Sequence, residues 1–411
     1  MKTKSIVLAF LLLVTAGLAA QPAGFCRVDG QVIREADGHE LLLRGTNLGN
    51  WLNPEGYMFH FKRVNSFRLI DQALKELAGA DEVNAFWRSF RDHYVTREDI
   101  HYLKSLGLNH LRVPFNFKLF LVEDHPEIML EEGFRRLDDV IGWCEAEGLY
   151  VILDLHAAPG GQTGDNIDDS WGYPWLFTDS AAQATTIDLW RRIAERCKER
   201  TIVLGYDLLN EPIAHYFAGE AGLNEALEPL YKRMVSAIRE VDPHHIIFLG
   251  GAQWNTNFAV FGPPFDANLA YTFHKYWMPT EQKEIQAYLD FRDRYNVPIW
   301  LGESGENTDE WIAAFRKLLE QHNIGWSFWP YKKMDSSRGI VSFPRTPEWD
   351  AIVAWVEGPR SSFEEIRKSR PAPALVKKAM GDLLENIKFV NCTPNPGYIR
   401  ALTGESGGST K

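Results

Sequence analysis

Short apolar runs alternate along the chain with longer segments of helical periodicity. Eight runs rich in β-branched and aromatic residues predict buried strands, at 41–47, 108–113, 149–155, 203–209, 246–250, 269–273, 299–303 and 325–329. Amphipathic segments between them predict helices, among them 133–147, 182–199, 224–241 and 308–321. Eight strand–helix units indicate a parallel sheet that can close into an α/β (β/α)8 TIM barrel.

An open, doubly wound sheet is the competing architecture. No Gly-x-Gly-x-x-Gly or Walker sequence follows any predicted strand, which disfavours the nucleotide-binding form of that fold. We therefore predict one barrel domain over residues 21–390, followed by a partly disordered C-terminal tail over 391–411.

Three predicted connections are long: 48–99, 156–178 and 275–295. All of them leave the C-terminal ends of strands, so we expect them to wall one face of the barrel. The second is rich in Gly and Asp and carries Trp171, Tyr173 and Trp175, whose rings either anchor the loop or serve as binding platforms. Its aspartates 165, 168 and 169 could bind calcium, although their spacing does not fit an EF-hand.

The N-terminus has the organisation of a targeting segment. Lys2 and Lys4 precede an apolar stretch over 6–14, and small residues at 16–20 suit cleavage before Gln21. We expect a signal peptide over 1–20 and secretion to the periplasm or the medium, with no membrane segment afterwards. An uncleaved anchor is the alternative.

Composition narrows the possible partners. The formal net charge of −11 and the pI near 5.6 argue against nucleic acid, which requires a basic surface. The 14 Trp and 14 Tyr residues offer flat apolar faces with a polar edge, which suit the faces of sugar rings. We expect a monomer without cofactor or metal.

The four cysteines match no zinc motif. Export would permit disulfides, and we predict the pairs Cys26–Cys392 and Cys144–Cys197. Free buried thiols are the alternative for all four.

Two glutamates each follow a buried run directly. Glu211 lies in Leu-Leu-Asn-Glu-Pro and Glu303 in Ile-Trp-Leu-Gly-Glu-Ser-Gly. At the C-terminal rim of a barrel, two such acids suit a glycosidase, in which one protonates the leaving oxygen and the other attacks the sugar. The alternative is that both are loop carboxylates that cap helices.

Other polar and aromatic side chains lie where the predicted strands end. Together with the two glutamates they resemble glycoside hydrolase family 5, the cellulase family, over about residues 41–332. The matching positions are Arg112, His156, Asn210-Glu211-Pro212, His274, Tyr276, Glu303 and Trp329. The resemblance implies Glu211 as acid/base and Glu303 as nucleophile, with the other positions binding sugar or orienting these two.

Elementary electrostatics agrees with that assignment. Two close carboxyl groups do not both ionise readily, so one pKa rises. Arg112 and Tyr276 favour the charged form of Glu303, which leaves Glu211 as the acid. Asn210 suits a sugar 2-hydroxyl, and Trp329 suits the floor of a subsite.

The substrate is predicted to be a β-glucan, with endo-acting hydrolysis of β-1,4-glucan favoured and Trp171 and Trp175 counted among the binding residues. The Ala-Pro-Gly-Gly-Gln sequence after His156 is similar to that of exo-β-1,3-glucanases of the same family, and mannan and xyloglucan also stay open. A catalytically silent glucan-binding protein and a metal hydrolase are the alternatives from other classes.

Overall fold

A computed structural model describes residues 24–404, in which eight parallel strands close into a barrel. Each strand pairs with the next along the chain, and the eighth pairs with the first, where Phe328 lies opposite Thr46. The predicted (β/α)8 barrel is therefore confirmed. The barrel strands are β1 (Arg44–Asn47), β2 (His110–Asn116), β3 (Tyr150–Ala157), β4 (Val203–Asp207), β5 (Ile246–Gly250), β6 (Leu269–His274), β7 (Ile299–Glu303) and β8 (Gly325–Phe328).

Helices surround the barrel and fill the long first connection. They are α1 (Phe67–Ala78), α2 (Ala80–Tyr94), α3 (Arg97–Ser105), α4 (Glu131–Glu147), α5 (Ser180–Cys197), α6 (Glu220–Arg239), α7 (Gln286–Tyr295), α8 (Asp309–Gln321), α9 (Pro347–Glu357), α10 (Phe363–Ser369), α11 (Pro373–Asn386) and α12 (Pro396–Thr403). Across residues 24–404, none of the helices has the length and apolarity required to cross a membrane. The predicted signal peptide over 1–20 lies outside the described residues.

Shorter elements complete the fold. Strands outside the barrel are Arg27–Asp29, Val32–Arg34, Leu121–Val122, His125–Met129, Lys332–Met334, Val341–Phe343 and Thr393–Pro394. Turns of 3-10 helix are Gly56–Phe59, Phe117–Leu119, Asn166–Asp168, Trp175–Phe177, Phe258–Val260, Gln282–Glu284 and Phe389–Asn391. A four-residue turn, Ala252–Asn255, follows β5 and contains left-handed backbone.

Local sequence explains where the helices begin and end. The Asp179 side chain accepts hydrogen bonds from the first amides of α5, and Thr96 with Asp99 forms a capping box on α3. Gly148 ends α4 in the left-handed region, at φ 65°, a conformation that glycine adopts without a steric penalty.

The barrel interior is apolar at the amino-terminal ends of the strands. Ile152 of β3, Phe248 of β5 and Trp300 of β7 form one buried cluster there. The short strands Arg27–Asp29 and Val32–Arg34 pair as a hairpin before β1. Its residue Ile33 belongs to the same cluster and covers the amino-terminal end of the barrel. Because side chains of a strand alternate between faces, Asp154 and His156 share the inward face of β3 with Ile152, but lie nearer its carboxyl end.

The folded part continues beyond the predicted boundary at residue 390. Helix α12 packs against α8, where Arg316 Nε donates to Ala401 O at 2.9 Å. Tyr398 is buried and its hydroxyl donates to Trp329 O at 3.3 Å. The predicted domain boundary at residue 390 is therefore corrected, because residues up to 404 belong to the folded domain.

The predicted disulfides are wrong, because none of the four cysteines forms one. Cys26 packs in the apolar cluster beneath the barrel, whereas Cys392 Sγ donates to Lys388 O at 3.4 Å in a different part of the fold. Cys144 and Cys197 both lie in the apolar layer between helices and barrel. Burial raises the pKa of the Cys197 thiol to about 12.

Candidate active site

Glu303 ends β7 with its carboxylate buried between two donors. Arg112 Nη1 donates to Glu303 Oε1, and the Tyr276 hydroxyl donates to Glu303 Oε2 at 3.1 Å. Burial raises the pKa of Tyr276 well above its usual value, and the Glu303 and Glu211 carboxyls raise it further, so the hydroxyl keeps its proton. A cation and a hydrogen-bond donor therefore bind the Glu303 carboxyl group, one at each oxygen, and fix its orientation.

Arg112 is fully buried on β2 and is held by four further groups. Its Nε donates to Asp207 at 2.9 Å, and its Nη2 pairs with Asp154 at 3.0 Å. Asn47 and Asn210 accept from Nη1 and Nη2 at 3.0 and 2.9 Å. Burial lowers the pKa of the guanidinium, but the surrounding carboxylates raise it by more, so Arg112 stays charged and fixed in orientation.

Glu211 follows β4 in a strained backbone conformation, with φ at 46°. The loop after β3 holds it there: the Thr163 hydroxyl donates to Glu211 O at 2.7 Å, and Gln162 Nε2 donates to Asn210 O at 2.9 Å. A left-handed non-glycine residue persists only where its surroundings over-determine it, and such residues concentrate at functional sites.

The Glu211 carboxyl group contacts a histidine ring, whereas that of Glu303 is bound by an arginine. Burial raises the pKa of Glu211 well above the usual value, and the nearby Glu303 charge raises it further. His274 Nδ1 lies 2.8 Å from Glu211 Oε1, and burial holds the His274 pKa well below its usual value, so the ring is neutral. A carboxylate oxygen of each glutamate and a His274 ring nitrogen all lie within 4.8 Å of one another. The two glutamates thus form a close pair, in which Glu211 has a raised pKa.

His156 contributes a buried positive charge. Burial lowers its pKa, but Asp154, at 2.7 Å from Nδ1, together with Glu55 and Glu303 raises that pKa to about 10. The imidazolium ring stacks on Trp329, with ring centroids 5.6 Å apart and planes 6° apart. Trp329 is itself fixed, because its Nε1 donates to the Tyr57 hydroxyl at 2.6 Å.

These groups surround one cavity of about 590 Å³ at the carboxyl ends of the strands. Seven of the predicted residues line it: His156, Asn210, Glu211, His274, Tyr276, Glu303 and Trp329. Arg112 lies beneath the lining and acts through its contacts with Glu303 and Asn210. The sequence model of the cellulases of glycosyl hydrolase family 5 matches residues 71–335.

The chain belongs to glycosyl hydrolase family 5. It is therefore an O-glycosyl hydrolase that acts on a polysaccharide or an oligosaccharide.

Relatives within family 5 carry different names. A β-xylosidase of Phanerodontia chrysosporium is 31% identical over 358 residues, which cover 78% of this chain and 73% of that protein. A probable glucan 1,3-β-glucosidase A of Aspergillus clavatus is 30% identical over 224 residues, and the match covers 52% of each protein. Endoglucanase C of Acetivibrio thermocellus is 24% identical over 316 residues, covering 62% of this chain and 89% of the relative.

Solved structures share the fold of this family 5 enzyme. An endogalactoceramidase superposes with a TM-score of 0.60 at 16% identity, covering 92% of this chain and 84% of that one. Endoglucanase Cel5A from Thermotoga maritima gives a TM-score of 0.53 at 20% identity, covering 72% of this chain and 91% of that one. At such identities the likeness shows the barrel fold alone.

Trp171 and Trp175 do not line this cavity, and their part in substrate binding stays a prediction. Trp171 is 71% exposed and lines an adjoining groove, while Trp175 is 53% exposed in a 3-10 turn beside α5. Trp175 N donates to Gly160 O at 3.1 Å, so the backbone of this turn is tied back to the start of its own loop.

The aspartates of the same loop hold it in place. Asp169 accepts from Arg68 N at 2.6 Å and pairs with Lys118 at 2.8 Å. Asp168 accepts from the amide of Thr163 at 2.7 Å. These carboxylates are satisfied by amides and cations, so their arrangement gives the calcium alternative no support.

Several residues of the cavity were not predicted from the sequence. Glu55 and Tyr57 come from the long first connection, in which no strand end marks them. Trp277 and Glu306 also line the cavity. Trp254 lies in the turn Ala252–Asn255, close after the end of β5, so its position near a strand end was an indication that the sequence did offer.

Proposed function

We propose that this enzyme is a retaining β-glycosidase acting on β-glucan, with Glu211 as acid/base and Glu303 as nucleophile. The observation that carries the proposal is the pair of carboxylate oxygens within 4.8 Å, one glutamate in a setting that favours its proton and the other beside Arg112. Retaining glycosidases have carboxyl groups about 5–5.5 Å apart, whereas inverting ones need about 6.5–9.5 Å for a water molecule.

In the first step, the Glu303 carboxylate attacks the anomeric carbon and forms a glycosyl ester. The bond from that carbon to the glycosidic oxygen breaks, and the oxygen takes the proton of Glu211. Arg112 and Tyr276 bind the two oxygens of the Glu303 carboxylate and hold it in position for attack. Asn210, with its carbonyl fixed by Arg112, offers its amide group to the sugar 2-hydroxyl.

In the second step, the ester formed on Glu303 is hydrolysed. Because the charge of Glu303 is one cause of the raised Glu211 pKa, esterification lowers that pKa and Glu211 becomes a base. Glu211 takes a proton from water, the water oxygen bonds to the anomeric carbon, and the ester bond breaks. Two displacements at one carbon retain its configuration.

Charged groups wall the cavity beyond Glu303. Glu306, after β7, is bound through both carboxylate oxygens by Lys333 at 2.7 and 2.6 Å. Arg338 Nη1 donates to Glu306 O at 3.2 Å, so a hydrogen bond connects the segment after β8 to the loop after β7. Glu55 Oε1 is buried at the cavity, where it lies 3.5 Å from His156 Nε2, and it is placed to accept a hydrogen bond from a sugar hydroxyl.

Trp254, in the turn after β5, also lines the cavity, and β5 pairs with β4, the strand that Glu211 follows. Because the acid protonates the leaving oxygen, the leaving part of the substrate lies on this aromatic side, and the sugar that is transferred lies against the charged wall. This asymmetry favours removal of sugars from a chain end. We therefore propose exo-action, as in an exo-β-1,3-glucanase, and the names of the β-xylosidase and glucan 1,3-β-glucosidase relatives agree.

Endo-acting hydrolysis of β-1,4-glucan is the second candidate. It is favoured by endoglucanase C, which this chain matches over 89% of that relative's length.

Product analysis separates the two candidates. Laminarihexaose and cellohexaose are digested, and the first products are followed by chromatography and by NMR of the anomeric proton. Exo-action with retention predicts a single small sugar released from the start as its β-anomer. A mixture of intermediate lengths at first sampling contradicts exo-action, and an initial α-anomer contradicts retention.

Two alternatives from other classes have their own tests. A glucan-binding protein releases no reducing sugar, whereas the intact glutamate pair predicts release. A metal hydrolase loses activity with EDTA; here the cationic His156 does not suit metal ligation, and we expect no loss.

We also propose that the enzyme is secreted after removal of residues 1–20. N-terminal sequencing of exported protein should give a start near Gln21, and retention of Met1 would contradict cleavage.

A further inference from the structure

A second groove lies beside the active cavity, between the loop after β3 and the start of α1. Its volume is about 560 Å³, and it shares Asp165 with the active cavity. The lining includes Asn65, Arg68, Gln72, Ser170, Trp171 and Tyr216.

Trp171 is exposed but firmly held. Its side chain is 71% exposed, and the Arg68 guanidinium lies 3.8 Å from the centroid of its ring. Arg68 is fixed in turn, because its Nε donates to Asp169 O at 2.9 Å and its Nη2 pairs with Glu123 at 2.5 Å. A ring that anchors a loop is buried in the core, whereas Trp171 is a preorganised aromatic face open to solvent.

Tyr216 connects this groove to the active cavity. Its hydroxyl donates to Asp165 Oδ2 at 3.1 Å, and its ring lies 6.1 Å from that of Trp254, at 64°. Trp254 lines the active cavity, and Tyr216 is 53% exposed in the groove. The ring of Trp254 in the active cavity is thus near that of Tyr216 in the groove, and Trp171 lines the same groove.

We propose that Trp254, Tyr216 and Trp171 form an aromatic track that binds a β-linked glucan chain on the leaving-group side of the cleaved bond. The proposal rests on the proposed function, in which Glu211 protonates the leaving oxygen. Sugar rings present apolar CH faces that stack on aromatic rings, and their hydroxyls bond to polar neighbours such as Gln72 and Ser170. The track lets the polymer stay bound beyond the terminal sugar that is cleaved.

The test compares chain lengths in three variants. Trp171→Ala and Tyr216→Ala each remove one ring of the track, and Tyr173→Ala is the matched control, since Tyr173 is 56% exposed on the same loop but lines neither cavity nor groove. For the first two variants, KM for a β-linked hexasaccharide should rise about tenfold relative to the change for the disaccharide. The control should show no such length dependence, and unfolding midpoints confirm that all variants fold.

Equal changes on both lengths, or the same change in the control, would overturn the track. If no oligosaccharide is hydrolysed at all, the proposed function fails, and the track is tested separately by affinity electrophoresis in gels that contain soluble β-glucan. Retardation of the unmodified enzyme that is lost in Trp171→Ala supports the track. Absence of retardation, or retardation unaffected by both substitutions, overturns it.

Discussion

The two ends of the barrel interior are built from the same strands but differ in chemistry. At the amino-terminal end, Ile152 and Trp300 belong to an apolar cluster. A few residues later on the same strands, the buried side chains are ionisable ones, namely Asp154, His156 and Glu303. The apolar residues at the amino-terminal end form a lower layer that fills the barrel. The ionisable residues at the carboxyl end form an upper layer that orients the reacting groups. Residues for stability and residues for chemistry are therefore separated along each strand.

His110 and Arg112 show what decides whether a buried base keeps its charge. Both are fully buried on the inward face of β2. Burial lowers the pKa of His110 to about 3, because no carboxylate offsets it, and the ring is neutral. Two residues on, Arg112 meets Asp154, Asp207 and Glu303 and stays charged. The difference lies in the partners, since the degree of burial is the same.

Removing the proposed nucleophile should have the largest effect on function. Glu303→Gln deletes the attacking carboxylate, so kcat should fall by at least about 10⁴-fold, on natural and activated substrates alike. The measurement is steady-state kinetics on a β-glucan oligosaccharide and on an aryl glycoside.

Glu211→Gln is the matched control for that substitution. An activated aryl group leaves without a proton, so this variant should keep its first step on the aryl glycoside, visible as a burst of released aryl alcohol. Equal losses on both substrates would contradict the division of roles.

Removing the central cation should have the largest effect on stability. Arg112→Met leaves Asp154, Asp207 and Glu303 buried without their counter-ion, which should cost about 3–5 kcal/mol of unfolding free energy. Guanidinium unfolding monitored by tryptophan fluorescence measures it. An unchanged midpoint would mean that the upper layer tolerates uncompensated charge.

The buried imidazolium predicts a dependence of stability on pH. His156 has a folded pKa of about 10 against an ordinary value of 6.5, so its stabilisation is complete below pH 6.5 and is lost as pH rises through about 10. The difference in unfolding free energy between the unmodified enzyme and His156→Gln should therefore shrink from pH 6.5 to pH 10. A constant or growing difference would show that His156 is neutral.

The smallest effect is expected in the lower layer. Ile152→Val removes one methylene two residues before Asp154 and should cost about 0.5–1.5 kcal/mol, with kcat/KM unchanged. Loss of activity without comparable loss of stability would show that the two layers are coupled.

The fold was predictable from the sequence because each barrel strand is a short apolar run bounded by turn residues. The predicted runs at 246–250 and 299–303 coincide with β5 and β7. The C-terminal boundary was not predictable in this way. Helix α12 is short, begins at Pro396 and depends on contacts with α8 that no local pattern encodes.

Residues of the site were predictable where a strand end marks them. Glu211, His274 and Glu303 follow or end buried strands, and the structure brings them together. Glu55 lies in a connection without such a mark, and its burial at the cavity depends on how that long segment folds back. Trp171 is a residue type that suits sugar binding, but it lines the neighbouring groove. There the Arg68 guanidinium lies over its ring and is held by Asp169 O.

The most direct test of the central assignment is to trap the covalent intermediate. A 2-deoxy-2-fluoro glycoside with a dinitrophenyl leaving group slows both displacements and the second more, so the glycosyl ester accumulates and peptide mass spectrometry locates it. We predict one fluorosugar per enzyme, attached to Glu303 and absent in Glu303→Gln. An adduct on any other residue, or turnover that proceeds through no adduct and gives the α-anomer, would contradict the account.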